Sequence, residues 1–196
     1  MDLVNHTQMY YAGTAVSASP LFASDANLYP GEIRKCDMAK IYQYTNTLYK
    51  VHMTGSQLKK YMERSAGYFI YNPAERKISV NKKIPDFLYQ LFEGVNYEIN
   101  LSQPVGSRIE NLTWPDGIPV KDDIECDIAV NNYSAVSEIL IPGTVYEEND
   151  MPVLLDSDIR SDIGGIRELI RDYIINVKKG LVTHEVNNNW KITGIG

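Results

Sequence analysis

Most of the residue patterns that announce a chemical reaction are missing from this 196-residue chain. Its three histidines, His6, His52 and His184, are widely separated, and none belongs to the HxH, HExxH or DxH spacings that build metal sites. GxSxG, the P-loop pattern and GxGxxG are absent, so no serine-hydrolase elbow, phosphate cradle or dinucleotide turn can be assigned. The acidic pairs Asp122-Asp123 and Glu147-Glu148 sit in turn-like sequence, where a solvated face is the simplest reading. No residue is therefore assigned as catalytic or metal-binding. The two cysteines, Cys36 and Cys126, stand alone, which speaks against a disulfide framework or zinc cage; both are expected to be free and packed. No run approaches the roughly twenty apolar residues of a membrane span. No charged, apolar and small-residue leader opens the chain, and Met1 followed at once by Asp2-Leu3-Val4 reads as a start placed inside a larger protein. Positive charge is also short: 19 Lys and Arg against 25 Asp and Glu leave a net charge of −6. That argues against a nucleic-acid polymer as partner, because such binding rests on neutralising phosphates. A single nucleotide held by its base remains open.

What is present is an ordinary globular composition, 44% hydrophobic and 22% charged, long enough for one domain with a substantial core. The chain is organised around residues 40–67, KIYQYTNTLYKVHMTGSQLKKYMERSAG. Here a strand, a polar turn at Thr45-Asn46-Thr47, a second strand and a helix follow one another. In the second strand Tyr49, Val51 and Met53 alternate with Lys50 and His52, the period of a half-buried strand. Thr54-Gly55-Ser56-Gln57 then fits a capping box, and Leu58, Tyr61, Met62 and Ala66 recur at helical spacing up to Gly67, a natural C′ residue.

In chain order, residues 2–11 suggest a helix of weak apolar pattern closed by Gly13. Residues 15–22 suggest a strand and residues 24–31 a turn. Residues 33–41 lead into the central stretch. Residues 68–80 form an aromatic segment broken at Asn72-Pro73, and residues 82–90 a loop, with Pro85 set against a regular strand interior. VNYEINLS is a clean strand, as are residues 108–114 and 124–130, the last ending at Asn131-Asn132-Tyr133. Residues 134–150 look irregular. Ile166, Leu169, Ile170, Tyr173, Ile174 and Val177 mark an amphipathic helix ended by Gly180, and Trp190 anchors a last short strand. With no internal repeat or low-complexity linker, residues 1–196 read as a single domain of mixed α/β layers, α+β in class, with helices packed on a mixed sheet.

Two strand ends carry aromatics beside amides: Tyr44 with Asn46, and Tyr133 with Asn131 and Asn132. Two such rings facing across a cleft could sandwich a flat base, with the amides matching donors and acceptors on its edge. From the residues alone, packing of both rings into the core or over a sheet edge remains the alternative.

Longer blocks carry a resemblance. IYQYTNTLYKVHMTGSQLKKYMERSAGYF, FEGVNYEINLSQPVGSRIENLTW, IAVNNYSA and VNNNWKI, preceded by NHTQMYYAGTAVSASPLF, are similar in content and order to the C-terminal domain of bacterial 2′,3′-cyclic-nucleotide 2′-phosphodiesterase/3′-nucleotidases of the 5′-nucleotidase superfamily. The resemblance implies a division of labour. An N-terminal metallophosphoesterase domain, none of whose motifs is present here, would carry two divalent metal ions, a catalytic His and Asp and an Asn-His-Glu type phosphate motif. The C-terminal domain would supply the nucleoside pocket, with the base stacked between Tyr44 and Tyr133 and Asn46 contacting base or ribose. Partners would be nucleosides, mononucleotides and that N-terminal domain. No cofactor is expected in this chain, no hydrolysis by the chain alone, and an extracellular, wall-associated or periplasmic location. A stand-alone binding or interaction module on the same scaffold is the other reading. Thr45 stands where many relatives have Pro, and Ser134 where many have Arg. AVSEILIPG replaces a glycine-rich loop, and SASPLFASDAN lacks the arginine of the GGGIR-like loop of the 5′-nucleotidase branch. These departures set the sequence nearer the cyclic-phosphodiesterase branch.

Overall fold

A computed structural model describes residues 1–22, 28–183 and 186–196. His184 and the first half of the turn expected at residues 24–31 lie outside them. The elements run α1 (Asp2–Ala12), β1 (Val16–Pro20), α2 (Lys35–Ile41), β2 (Leu48–Thr54), α3 (Gly55–Ala66), β3 (Phe69–Asn72), β4 (Lys77–Val80), β5 (Gln90–Glu93), β6 (Asn96–Asn100), β7 (Ile109–Thr113), β8 (Glu125–Asn131), α4 (Asn132–Ser134), β9 (Val153–Asp156), α5 (Ile166–Asp172) and β10 (Trp190–Thr193). A 3-10 turn, Asp86–Leu88, precedes β5, and wider π turns, Ala135–Ile139 and Tyr173–Val177, extend α4 and α5.

The central sheet has the order β5-β1-β8-β2-β9. Only β1 and β8 run parallel in it; the other neighbours are antiparallel. Alternation along its strands sends side chains to two separate cores. Val16, Ala18, Val51, Met53, Ile128 and Val130 face α3 and the small sheet β10-β6-β7. Leu48 and Ala129 face the other way, onto α1, α2 and α5 through Val4, Met38, Ile166, Leu169 and Ile170. The result is a mixed sheet between helical layers, the α+β class that the sequence implies.

The weak apolar pattern of α1 has a physical reason. Its inner face is polar but hydrogen-bonded: Gln8 Nε2 donates to Ser17 Oγ at 2.7 Å and to the Ala18 carbonyl at 3.1 Å. Ser17 Oγ donates to Asn5 Oδ1 at 2.9 Å, and Asn5 Nδ2 to the Leu91 carbonyl at 3.0 Å. Burial of these amides is tolerable because each makes at least one hydrogen bond, Gln8 Oε1 alone among their side-chain atoms being buried without a partner.

α3 starts as its sequence requires. The Gln57 N–H donates to Thr54 Oγ1 at 3.2 Å, and the Thr54 N–H to Gln57 Oε1 at 2.9 Å. Its end corrects the expectation for Gly67, whose φ of −63° is right-handed. A buried Arg108 guanidinium caps this terminus instead, donating to the carbonyls of Ala66 at 3.0 Å and Phe69 at 2.6 Å. The strand expected just before the polar turn is a helix, α2, where Asp37 reaches back to the Arg34 N–H at 2.9 Å. Residues 134–150, expected irregular, contain the π turn and the fully buried Tyr146, whose hydroxyl donates to the Gln57 carbonyl at 2.8 Å. Both cysteines are free, but Cys36 is exposed rather than packed. Among the described residues no helix is long and apolar enough to cross a membrane.

Candidate functional site

The two tyrosine motifs meet at one edge of the central sheet, the edge formed by strand ends, where β8 stops and β2 starts. The antiparallel register of β2 and β8 pairs Leu48 with Asn131, the first residue of one strand with the last of the other. The ladder continues one residue beyond: the Asn132 N–H donates to the Thr47 carbonyl at 2.9 Å, and the Thr47 N–H to Asn132 Oδ1 at 3.2 Å. The turns bearing Tyr44 and Tyr133 therefore stand abreast. Both rings reach solvent, Tyr44 at 48% and Tyr133 at 45% exposure, so neither is a core residue.

Each turn is built rigidly from below. Under Tyr44, the Asn46 carbonyl accepts the N–H of Ile166 at 2.8 Å, and Asn46 Nδ2 donates to the hydroxyl of the buried Tyr42 at 3.3 Å. Burial pushes the Tyr42 phenol up, so this hydroxyl stays protonated at neutral pH. The approach of α5 is close: a Cβ added at Gly165 would stand 2.7 Å from the Asn46 carbonyl oxygen.

Under Tyr133, Asn131 is 1% exposed and its amide is committed inward. Its Oδ1 accepts the Ser134 N–H at 2.8 Å and its Nδ2 donates to Ser134 Oγ at 3.0 Å. Asn131 was expected beside a ligand; here it is the cap of α4, which launches the turn that presents Tyr133. Gln90 Nε2 donates to the same Ser134 hydroxyl at 3.0 Å, and Ser137 Oγ to the Tyr133 carbonyl at 2.7 Å. Asn46 Oδ1 and Asn132 Nδ2 keep hydrogen-bonding capacity without a partner among the described residues.

Below this turn lies Glu138, 3% exposed, neither of whose carboxylate oxygens makes a hydrogen bond. Burial pushes its carboxyl up to about 7; the Arg64 guanidinium, with Nε 3.8 Å from Oε1, and the nearby Tyr61 hydroxyl and Gln90 amide pull the other way.

Two rings escaped the sequence reading. Phe22 packs on Tyr44 with centroids 4.9 Å apart and planes at 52°, and on Tyr42 at 4.9 Å and 79°. Phe87 sets itself at 77° to Tyr133, 5.8 Å away. Neither has a neighbouring amide to mark it; only the pairing of β1 with β5 brings both near the tyrosines. Of the histidines, His52 lies on the β2 face with Nδ1 2.8 Å from Asp127 Oδ1, away from this edge. A cavity of about 670 Å³ lined by Met1, Leu28, Lys178, Val182 and Val186 among others contains neither Tyr44 nor Tyr133.

This arrangement offers exposed flat aromatic surfaces beside amides, the kind of surface on which a flat ligand can stack. Comparison with known proteins agrees with it at the level of family. The 5′-nucleotidase C-terminal domain family matches residues 1–140, and the chain belongs to that family. It is 31% identical over 189 residues to a 2′,3′-cyclic-nucleotide 2′-phosphodiesterase/3′-nucleotidase of Haemophilus influenzae, covering 84% of this chain and 26% of that protein. A Yersinia enterocolitica protein of the same description is 29% identical over 194 residues, covering 87% of this chain and 27% of its own length. A solved putative 5′-nucleotidase of Staphylococcus aureus shares the fold with a TM-score of 0.77 at 24% identity, over 97% of this chain and 35% of that one. The chain thus spans about a quarter of the length of the curated relatives it matches.

Proposed function

We propose that this chain is the nucleoside-binding domain of a metal-dependent phosphoric ester hydrolase acting on 2′,3′-cyclic nucleotides and on 3′- or 5′-nucleotides. The base stacks between Tyr44 and Tyr133, with Asn46 and Asn132 reading its edge or the ribose. The observation that supports this most directly is the continuation of the β2–β8 ladder through Thr47 and Asn132, which sets two exposed tyrosines at one sheet edge. Asn131 acts through the cap it forms rather than by contact.

Bond cleavage belongs, on this reading, to an N-terminal metallophosphoesterase domain of the same polypeptide, whose two divalent ions polarise phosphate and activate water. Among the described residues no three His, Cys, Asp or Glu side chains form a group able to hold a metal. The residues present do not fit that ion pair, and this chain's part is to hold and orient the base. The parent enzyme would serve nucleotide catabolism and phosphate scavenging outside the cytoplasm, as secreted, periplasmic or wall-attached protein.

Stacking is worth about 1–3 kcal/mol per base by alanine substitution, and a millimolar complex needs about 4 kcal/mol. Adenosine should therefore bind the purified chain with a Kd of roughly micromolar to millimolar order. Tyr44→Ala and Tyr133→Ala should each weaken it about 5- to 150-fold. Tyrosine-ring NMR signals followed during an adenosine titration provide the test; rings that stay unmoved in the folded domain overturn the reading. The chain alone, given 2′,3′-cyclic AMP and manganese, is expected to show no turnover.

A further inference from the structure

We infer that Phe22 and Phe87 are positioning residues for this site, Phe22 fixing the ring of Tyr44 and Phe87 the ring of Tyr133. The inference rests on the reading that these tyrosines grip a base. An exposed tyrosine turns about two side-chain bonds, and a ring that must be ordered at the moment of binding costs affinity. At this sheet edge both rings are met beforehand by a second aromatic, Phe22 just beyond β1 and Phe87 in the 3-10 turn before β5.

The geometry follows from β1 and β5. Their pairing matches Pro20 with Gln90, and the Leu21 N–H donates to the Tyr89 carbonyl at 3.1 Å. The residue after Leu21 is Phe22. On the partner strand, the 3-10 turn Asp86–Leu88 is closed by the Leu88 N–H to the Pro85 carbonyl at 2.9 Å. The Tyr68 hydroxyl, donating to Asp86 Oδ1 at 2.8 Å, secures the same turn. Phe87 projects from it. β1 runs parallel to β8 and β5 antiparallel to β1, so both phenylalanines emerge at the sheet edge where β8 ends and β2 begins. Phe22 is itself held against the buried Tyr42, and the 77° contact of Phe87 directs a ring edge at a ring face, the arrangement that the aromatic quadrupole favours. Phe87 is half-buried and belongs to neither hydrophobic core, whereas Phe22 also packs against the core under α1, α2 and α5.

The test is an adenosine titration of Phe87→Leu and Phe22→Leu beside Tyr44→Ala and Tyr133→Ala, read by tyrosine-ring NMR. Leucine keeps apolar bulk and removes the ring, so Phe87→Leu should fold normally even if Phe22→Leu does not. Phe87→Leu is expected to shift the Tyr133 ring signals of the free domain and weaken adenosine about three- to tenfold, and Phe87→Tyr to restore both. Unchanged affinity in Phe87→Leu, while the tyrosine variants weaken, overturns the positioning role and leaves the base grip standing. Unchanged affinity in the tyrosine variants as well removes both.

Discussion

Glu138→Gln should change how the stability of this domain depends on pH. The Glu138 carboxyl is held at about 7 in the folded chain against an ordinary value of 4.5. Its environment explains the direction: burial first, opposed in part by Arg64 at 3.8 Å. Since the folded value is raised, the stabilising difference is complete below pH 4.5, where both states hold the proton. It is lost as pH rises through about 7, because the unfolded chain ionises first. Each pH unit between the two values corresponds to about 1.4 kcal/mol, so about 3 kcal/mol should vanish across that window. Urea unfolding of wild type and Glu138→Gln at intervals from pH 4.5 to 8 measures it, and the difference curve cancels carboxylates common to both proteins. Wild type should fall relative to the variant by about 3 kcal/mol, equivalent to about 6–12 °C in Tm for a domain of this size. A difference curve flat to within about 1 kcal/mol would mean that Glu138 is ionised in the fold at neutral pH, and the reasoning from its burial fails.

Two further perturbations test the scaffold. Glu63, 7% exposed, accepts the N–H of Arg108 at 2.8 Å and of Ile109 at 2.7 Å. Glu63→Ala orphans both donors and should cost about 2–5 kcal/mol in urea unfolding; a loss near zero would show that water replaces the carboxylate. Gly165→Ala drives a methyl group against the Asn46 carbonyl. It should cost about 1–3 kcal/mol of stability and shift the Tyr44 ring signals, whereas an unshifted Tyr44 would show that the turn is not braced by α5.

The sequence was most legible where local chemistry and tertiary packing agree. The Thr54–Gln57 box, the alternation along β2 and the strand end at Asn131-Asn132-Tyr133 all formed where the residues imply them. It was least legible where a distant partner decides. Gly67 could stay right-handed because Arg108, forty-one positions on, caps α3. β9 was not expected because Val153, Leu154 and Leu155 are all exposed on an edge strand, without the apolar–polar alternation that marks a half-buried one. At the site, Tyr44 and Tyr133 stood out by their neighbouring amides, while Asn131 carries the same signature and has its amide turned inward onto Ser134. Phe22 and Phe87 become visible only through the β1–β5 pairing.

Beneath the Tyr44 and Tyr133 turns, the spacing of Thr47 and Asn132 is set by a main-chain hydrogen bond that continues the β2–β8 ladder. A gap fixed in that way gauges thickness, and all purines and pyrimidines are equally thick. On the proposed base grip, thickness would not tell bases apart, and a preference among them would rest on the larger stacking area of a purine and on the amide atoms at Asn46 and Asn132.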